Sequence, residues 1–305
     1  MDAVRIGTRK SELAMWQARW VQSRLQECYP AMRVELVPLD TQGDKKLDVP
    51  LPSVADKGFF TAEIEQDLYE RRIDIAVHSL KDLPTELPEG LAVGAYCERA
   101  DAHDAFLGKG GIAFADLPEN ACIGTSSLRR AAQLRRMRPD LVCVDIRGNL
   151  NTRWRKLQED DRMAGIVLAA AGVLRLGWSD RISSLLPYDS MLPAPGQGII
   201  AVECLVGRSD VEEVLSAVNH VPSERAARAE RTFQACLEGG CQTPIGAIAD
   251  CAGDVVKLDA GVFSLDGTQA VRVRVQGESA EDVGRLAAEQ ALRQGAKPLL
   301  AAIRR

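Results

Sequence analysis

Apolar residues in this chain fall into short runs that alternate with stretches of helical spacing. Val4-Arg5-Ile6-Gly7 reads as a buried strand, and residues 12–28 follow with Leu13, Trp16, Trp20 and Leu25 at near-helical intervals. Val34-Glu35-Leu36-Val37 reads as a second strand, Phe60 to Arg72 as a helix and Ile73-Asp74-Ile75-Ala76-Val77 as a third strand. The alternation then restarts with strand 122–124, a helix from 127, strand 142–146, a helix from 150 and strand 165–169. The run 199–203 reads as a strand returning to the first sheet. Such an order predicts α/β architecture, mainly parallel sheets covered by helices. From 223 the pattern changes to a helix ending near 237, β-rich segments at 255–263 and 271–276, and a helix over 280–294. That is an α+β unit. The break points predict one domain from 1–97 with 199–218, a second from 98–198 and a third from 219–305.

Composition narrows the classes. A chain of 305 residues suits two or three domains with cores of their own. A net charge of -5 argues against a general nucleic-acid binder. No apolar run approaches the ~20 residues of a membrane span, and the N-terminus has no signal-peptide core. Eight cysteines without a Cys-x-x-Cys do not make a secreted disulfide scaffold. His78, His103 and His220 lie far apart and show no metal-ligand spacing. The expectation is a cytoplasmic, reduced chain without metal, nucleic-acid or membrane partners.

The chemistry concentrates at the ends of strands, where open α/β sheets bind ligands against helix N-termini. Gly124-Thr125-Ser126-Ser127-Leu128-Arg129-Arg130 leaves one strand and opens a helix, and Arg147-Gly148-Asn149-Leu150-Asn151-Thr152-Arg153 does so after the next. Between Ile123 and Arg155 stand eight arginines and two aspartates, inside an acidic protein. Arg135, Arg136 and Arg138 suit a solvated helix face. Arg129, Arg130, Arg147 and Arg153 lie at the junctions and suit a carboxylate or phosphate, which guanidinium forks bind bidentately. Thr8-Arg9-Lys10-Ser11 and His78-Ser79-Leu80-Lys81-Asp82-Leu83-Pro84 are matching junctions. Asp82 reads as a helix cap or an ion pair of Lys81, or else as the partner of a cation formed in a reaction. Neither a P-loop nor a G-x-G-x-x-G after the first strand is present.

Glu238-Gly239-Gly240-Cys241-Gln242-Thr243-Pro244-Ile245-Gly246 displays a thiol between glycines and a proline-bearing turn. Cysteine more often serves as a small buried hydrophobe, and that reading fits the other seven. For Cys241 the two readings are nearly even until the arginine supply is considered.

Together these stretches, with Leu192-Pro193-Ala194-Pro195-Gly196-Gln197-Gly198, resemble the porphobilinogen deaminase (hydroxymethylbilane synthase) family over nearly the whole chain, thinning after about residue 250. The resemblance implies two type II periplasmic-binding-protein-like α/β domains around a cleft, plus a smaller C-terminal α+β domain. It implies a dipyrromethane joined by a thioether to Cys241. Four porphobilinogens are added in turn, each losing ammonia to give an azafulvene-like cation, and water releases the linear tetrapyrrole. Asp82 matches the catalytic aspartate. Lys81, Ser127, Arg129, Arg130, Arg147 and Gly148 match cofactor-binding positions. Arg9, Ser11, Phe60, Thr125, Arg153, Arg175 and Gln197 match substrate-binding positions. Each pyrrole brings an acetate and a propionate, which accounts for arginine at strand ends. A monomer acting on porphobilinogen is expected. Where many bacterial members have lysine and Gly-Gly-Lys-Gly, this chain has Ser53 and Ala55-Asp56-Lys57-Gly58, so no substrate role is carried to position 53. The alternative is a non-catalytic anion-binding protein of the same fold, which would have no use for Cys241 on a glycine loop.

Overall fold

The structure is a computed structural model that describes residues 1–41, 61–237 and 243–302. The chain divides into two compact units, Met1–Arg99 with Ile199–Glu224, and Ala100–Gly198 with Arg225–Arg305.

In the first unit, β1 (Ala3–Arg9) leads into α1 (Glu12–Cys28), then β2 (Arg33–Leu39), α2 (Ala62–Tyr69), β3 (Ile75–Ser79) and β4 (Leu91–Tyr96). A strand from the far side of the sequence, β10 (Ile200–Leu205), completes the sheet in the order β2-β1-β3-β10-β4, and α6 (Ser209–Ser216) follows it. β1 runs parallel to β2 and β3, whereas β10 is antiparallel to both of its neighbours. One face packs Val4, Ile6, Ile75, Val77 and Val202 against Ala18, Val21 and Leu25 of α1 and Val211 and Leu215 of α6. The other face buries Ala76 with Ile64 and Leu68 of α2.

The second unit repeats this plan. It contains β5 (Asp104–Gly108), β6 (Cys122–Gly124), α3 (Leu128–Met137), β7 (Val142–Val144), α4 (Leu150–Glu159), β8 (Met163–Ala169), α5 (Ala170–Arg175) and β9 (Ser184–Leu186). The sheet order is β7-β6-β8-β5-β9, with β5 antiparallel to β8 and β9. β6 therefore stands where β1 does, β8 where β3 does, and β5 plays the part of β10. Both sheets share one strand order within the expected α/β architecture, but each is mixed, with one antiparallel crossing strand.

The C-terminal part adds α7 (Val221–Cys236) and an antiparallel sheet of β11 (Ile245–Ala252), β12 (Val255–Phe263) and β13 (Ala270–Gly277), followed by α8 (Ala280–Arg293) and α9 (Ala296–Ala301). Alternate residues Val256, Leu258, Ala260 and Val262 of β12 meet Phe233 of α7 and Val283, Ala287 and Ala291 of α8 in their own core. The sequence pattern predicts none of β4, β5, β9, β11, α5, α6 or α9. Gly267 turns at φ +77, and a Cβ there would lie 2.6 Å from the Arg136 backbone nitrogen. Only glycine lets this hairpin lie so close to α3.

Candidate active site

In the first unit the ends of β1 and β3 converge on one pocket, lined by Arg9, Ser11, Gln17, Thr61, His78, Ser79 and Asp82. Ser11 caps α1, its hydroxyl accepting from the Ala14 amide at 3.3 Å. The Gln17 amide, buried, donates to Ser79 Oγ at 2.8 Å and braces the end of β3 from below. Leu80–Asp82 forms a single 3₁₀ turn, and the Leu80 amide donates to Ile199 O at 3.0 Å. That turn leaves Asp82 exposed on the pocket rim and Lys81 half-buried. The strand register expected here ended at Val77; it runs on through His78 and Ser79. The chain turns at Arg71, with φ 54, and β3 begins at Ile75, with His78 buried opposite Ala201. Phe60 lies outside the described residues, as do Ser53 and 55–58.

The matching junctions of the second unit gather Thr125, Ser126 and Ser127 at the start of α3 and Gly148 and Asn149 at the start of α4. Ser127 caps α3 through the Arg130 amide at 3.4 Å, and Asn149 caps α4 through the Thr152 amide at 2.9 Å. Thr125 is buried, its Oγ1 accepting from the Ser127 amide at 3.2 Å. Neither helix has an acidic residue in its first turn, so their amide ends stay favourable for an external anion. Gly148 takes φ +113, and a Cβ there would come 2.6 Å from Thr152 Cγ2, so a side chain is excluded at this turn. Its carbonyl accepts from Arg153 Nε at 2.8 Å. Arg147 is half-buried beside it.

Arg129 and Arg130 are both buried and converge on Asp104, which opens β5 and is wholly buried. Arg129 Nη1 donates to Asp104 Oδ2 at 2.6 Å and to Leu192 O at 2.6 Å. Arg130 donates to Asp104 Oδ1 through Nε and Nη2 at 2.9 and 2.7 Å. Burial works against the Asp104 charge, yet the pull of the two guanidiniums outweighs it and holds the carboxyl well below the usual range. Two cations against one anion leave a positive surplus beneath the α3 terminus. Gln197 is buried as well, its amide donating to Ala102 O at 2.8 Å and to Asp104 Oδ1 at 3.0 Å. Arg175 Nη2 donates to Gly198 O at 2.8 Å. Gln133 grips Leu192 through both its amide groups, and the buried Glu230 accepts from the Gly196 and Ala249 amides at 2.7 Å each. The 192–198 stretch is thus a buried crossing held by polar side chains.

Asp104, Gln133, Glu230 and Gln17 escaped the sequence reading. The signal for Asp104 was a charge at the head of the apolar run Ala105-Phe106-Leu107. Cys241 lies outside the described residues. Of the other cysteines, Cys97 and Cys204 are buried, and burial pushes the Cys204 thiol up to about 11. Cys28 and Cys236 are exposed. Among the described residues no group of His, Cys, Asp and Glu could hold a metal, and no helix is long and apolar enough to cross a membrane.

Two family profiles match the chain. "Porphobilinogen deaminase, dipyromethane cofactor binding domain" covers residues 4–213, and "Porphobilinogen deaminase, C-terminal domain" covers 225–293. The porphobilinogen deaminase of Desulfitobacterium hafniense is 54% identical over 100% of this chain and 98% of its own length. That of Carboxydothermus hydrogenoformans is 48% identical over 98% and 97%. A solved methionine-binding protein, MetQ, aligns with TM-score 0.45 and 13% identity over 78% of this chain and 94% of its own. Full-length identity near one half, with both family domains in order, leaves one conclusion: the chain belongs to the porphobilinogen deaminase family, the transferases of porphyrin biosynthesis that build a linear tetrapyrrole on a dipyrromethane cofactor.

Proposed function

We propose that the chain condenses four porphobilinogens through Asp82 as catalytic residue and Cys241 as cofactor anchor, working as a cytoplasmic monomer. The observation that carries the assignment of Asp82 is its pocket, where one carboxylate shares a lining with Arg9 and Ser11 at the end of a strand. Arg9 and Ser11 hold acetate or propionate of the incoming substrate there. The Asp82 carboxylate offsets the positive charge that develops on the pyrrole as ammonia departs, the kind of preorganised electrostatic term that weighs most in catalysis.

The donor chemistry of the second unit fits a group rich in carboxylates. Two amide-ended helix starts, the Ser127 hydroxyl and a surplus of guanidinium charge converge there. Arg147, Arg153, Thr125 and Ser127 would hold the carboxylates directly. Arg129 and Arg130 supply charge from below while fastened to Asp104, and Gln197 and Arg175 keep the 197–198 backbone in place. When bound, the dipyrromethane supplies the nucleophilic pyrrole carbon on which the chain grows. We also assign 219–305 as a third domain carrying the cofactor cysteine, supported by its own core and its own family profile.

Intact mass tests the anchor. Purified protein should exceed its sequence mass by two condensed pyrrole units and colour with an acidic aldehyde reagent. Cys241→Ala should lose both, and Cys236→Ala or Cys251→Ala neither. Pyrroles mapped to any other cysteine would overturn the assignment.

A further inference from the structure

Behind the Asp82 pocket, on the α2 side of the first sheet, lies a buried polar cluster that the reaction as described leaves unused. His78 lines the pocket. Its register partner on β10 is Ala201, two residues from Glu203, so His78 and Glu203 share a face of the sheet. His78 Nε2 stands 3.1 Å from Glu203 Oε2, with the two side chains 5% and 0% exposed. Glu65 comes from α2 and is 7% exposed. Among the described residues, His78 Nε2, both Glu203 oxygens and Glu65 Oε1 are buried outside hydrogen-bond geometry.

Two carboxylates and one imidazole share this buried space. Buried charge of one sign is costly, and the remedy available to carboxylates is to hold a proton. Burial pushes the Glu65 carboxyl up, and the Glu203 charge pushes it further. The groups facing the cluster are Thr61 and Tyr69 and, across the pocket, Arg9 and Asp82.

We propose that His78, Glu203 and Glu65 form a proton-holding station at the pocket floor, in which the two buried carboxylates are positioning residues for His78. The need for it follows from the reaction, and the inference rests on that reading of the site. Each condensation breaks one C–N and one C–H bond and forms one C–C bond. The amine needs a proton to leave as ammonia, and the pyrrole carbon later returns one. His78, lying against both the ligand space and the buried acids, gives up a proton as ammonia leaves and takes one back when the pyrrole carbon loses its own.

Steady-state kinetics of Glu203→Gln, His78→Asn and the double variant test the station. Glu203→Gln should lower kcat on the order of tenfold to a hundredfold, keep KM within about twofold, and move the kcat–pH profile. The double variant should be no slower than His78→Asn alone, since groups acting as a unit are not additive. Should Glu203→Gln fail to fold, Glu65→Gln on the helix gives the same readings. An unchanged pH profile, or losses that multiply, would overturn the station. Wild-type protein inert toward porphobilinogen would instead overturn the functional reading itself.

Discussion

Each α/β sheet is completed by a crossing strand that buries a carboxylate, and the two carboxylates keep opposite company. Asp104 opens β5 opposite Ala169 and is clamped by Arg129, Arg130 and Gln197. Glu203 lies deeper in β10, opposite Ala76, with His78 and Glu65 for neighbours. One acid is neutralised twice over and serves as a rivet. The other stands 3.1 Å from the His78 ring, beside Glu65, whose carboxyl burial pushes up. Equivalent topology thus sets a carboxylate clamped by guanidiniums in the arginine-rich unit and one set against an imidazole in the unit with Asp82.

The largest expected effect breaks the rivet. Asp104→Asn leaves two buried guanidiniums short of their counter-ion and should cost about 3–5 kcal/mol of stability, read from the denaturant midpoint. Glu203→Gln should cost far less, and equal losses would erase the distinction between the strands. Next comes Asp82→Asn, which should slow tetrapyrrole formation ~10²–10³-fold while the mass added at Cys241 persists. Turnover within a few fold of wild type would remove Asp82 from the chemistry.

A smaller test uses the paired helix caps. Ser127→Ala and Ser11→Ala should each cost about 1 kcal/mol. Added inorganic phosphate should recover more stability in the second unit, where α3 has no acidic residue in its first turn and α1 has Glu12. Equal recovery would show that the two junctions do not differ toward anions. The smallest effect on stability is that of Glu65→Gln. The folded-state carboxyl of Glu65 is raised, so its burial favours the protonated form and stability falls as pH rises from the ordinary carboxylate range through the raised value. Glu65→Gln should therefore be more stable than wild type above that window and indistinguishable at its acid end. Asp104 has the opposite sign, contributing stability above the ordinary carboxylate range that is lost as pH falls. Parallel pH–stability curves for Glu65→Gln and wild type would refute the contrast.

Local pattern made much of this readable. Strand–helix junctions announce themselves through hydroxyl caps and glycine, and the helices over 12–28, from 127 and from 150 follow from spacing alone. What stayed hidden is what depends on strand direction. Nothing local to Ile200-Ala201-Val202-Glu203 says that it runs antiparallel to β3, so neither Glu203's approach to His78 nor the mixed sheets could be foreseen. Arg129, Arg130 and Gln197 read as ligand contacts because their partner Asp104 lies some 25 residues or more away in sequence. Such buried pairs are legible only once the fold brings them together. Charged residues embedded in apolar runs, Asp104 and Glu203 alike, were the clue available.

The position of β10 in the first sheet also bears on how the chain is made. Among the described residues β4 pairs with β10 alone, and β10 separates it from β3. As the chain leaves the ribosome, β4 therefore waits for residues about a hundred positions later before it can find its neighbour. At ~5–20 residues per second that wait lasts roughly 5–20 s. The middle sheet has all its strands by Leu186, ahead of Ile200. Nascent chains should consequently acquire protease resistance first in the β7-β6-β8-β5-β9 sheet. The sheet that bears Asp82 at its rim, although it begins at the N-terminus, closes second.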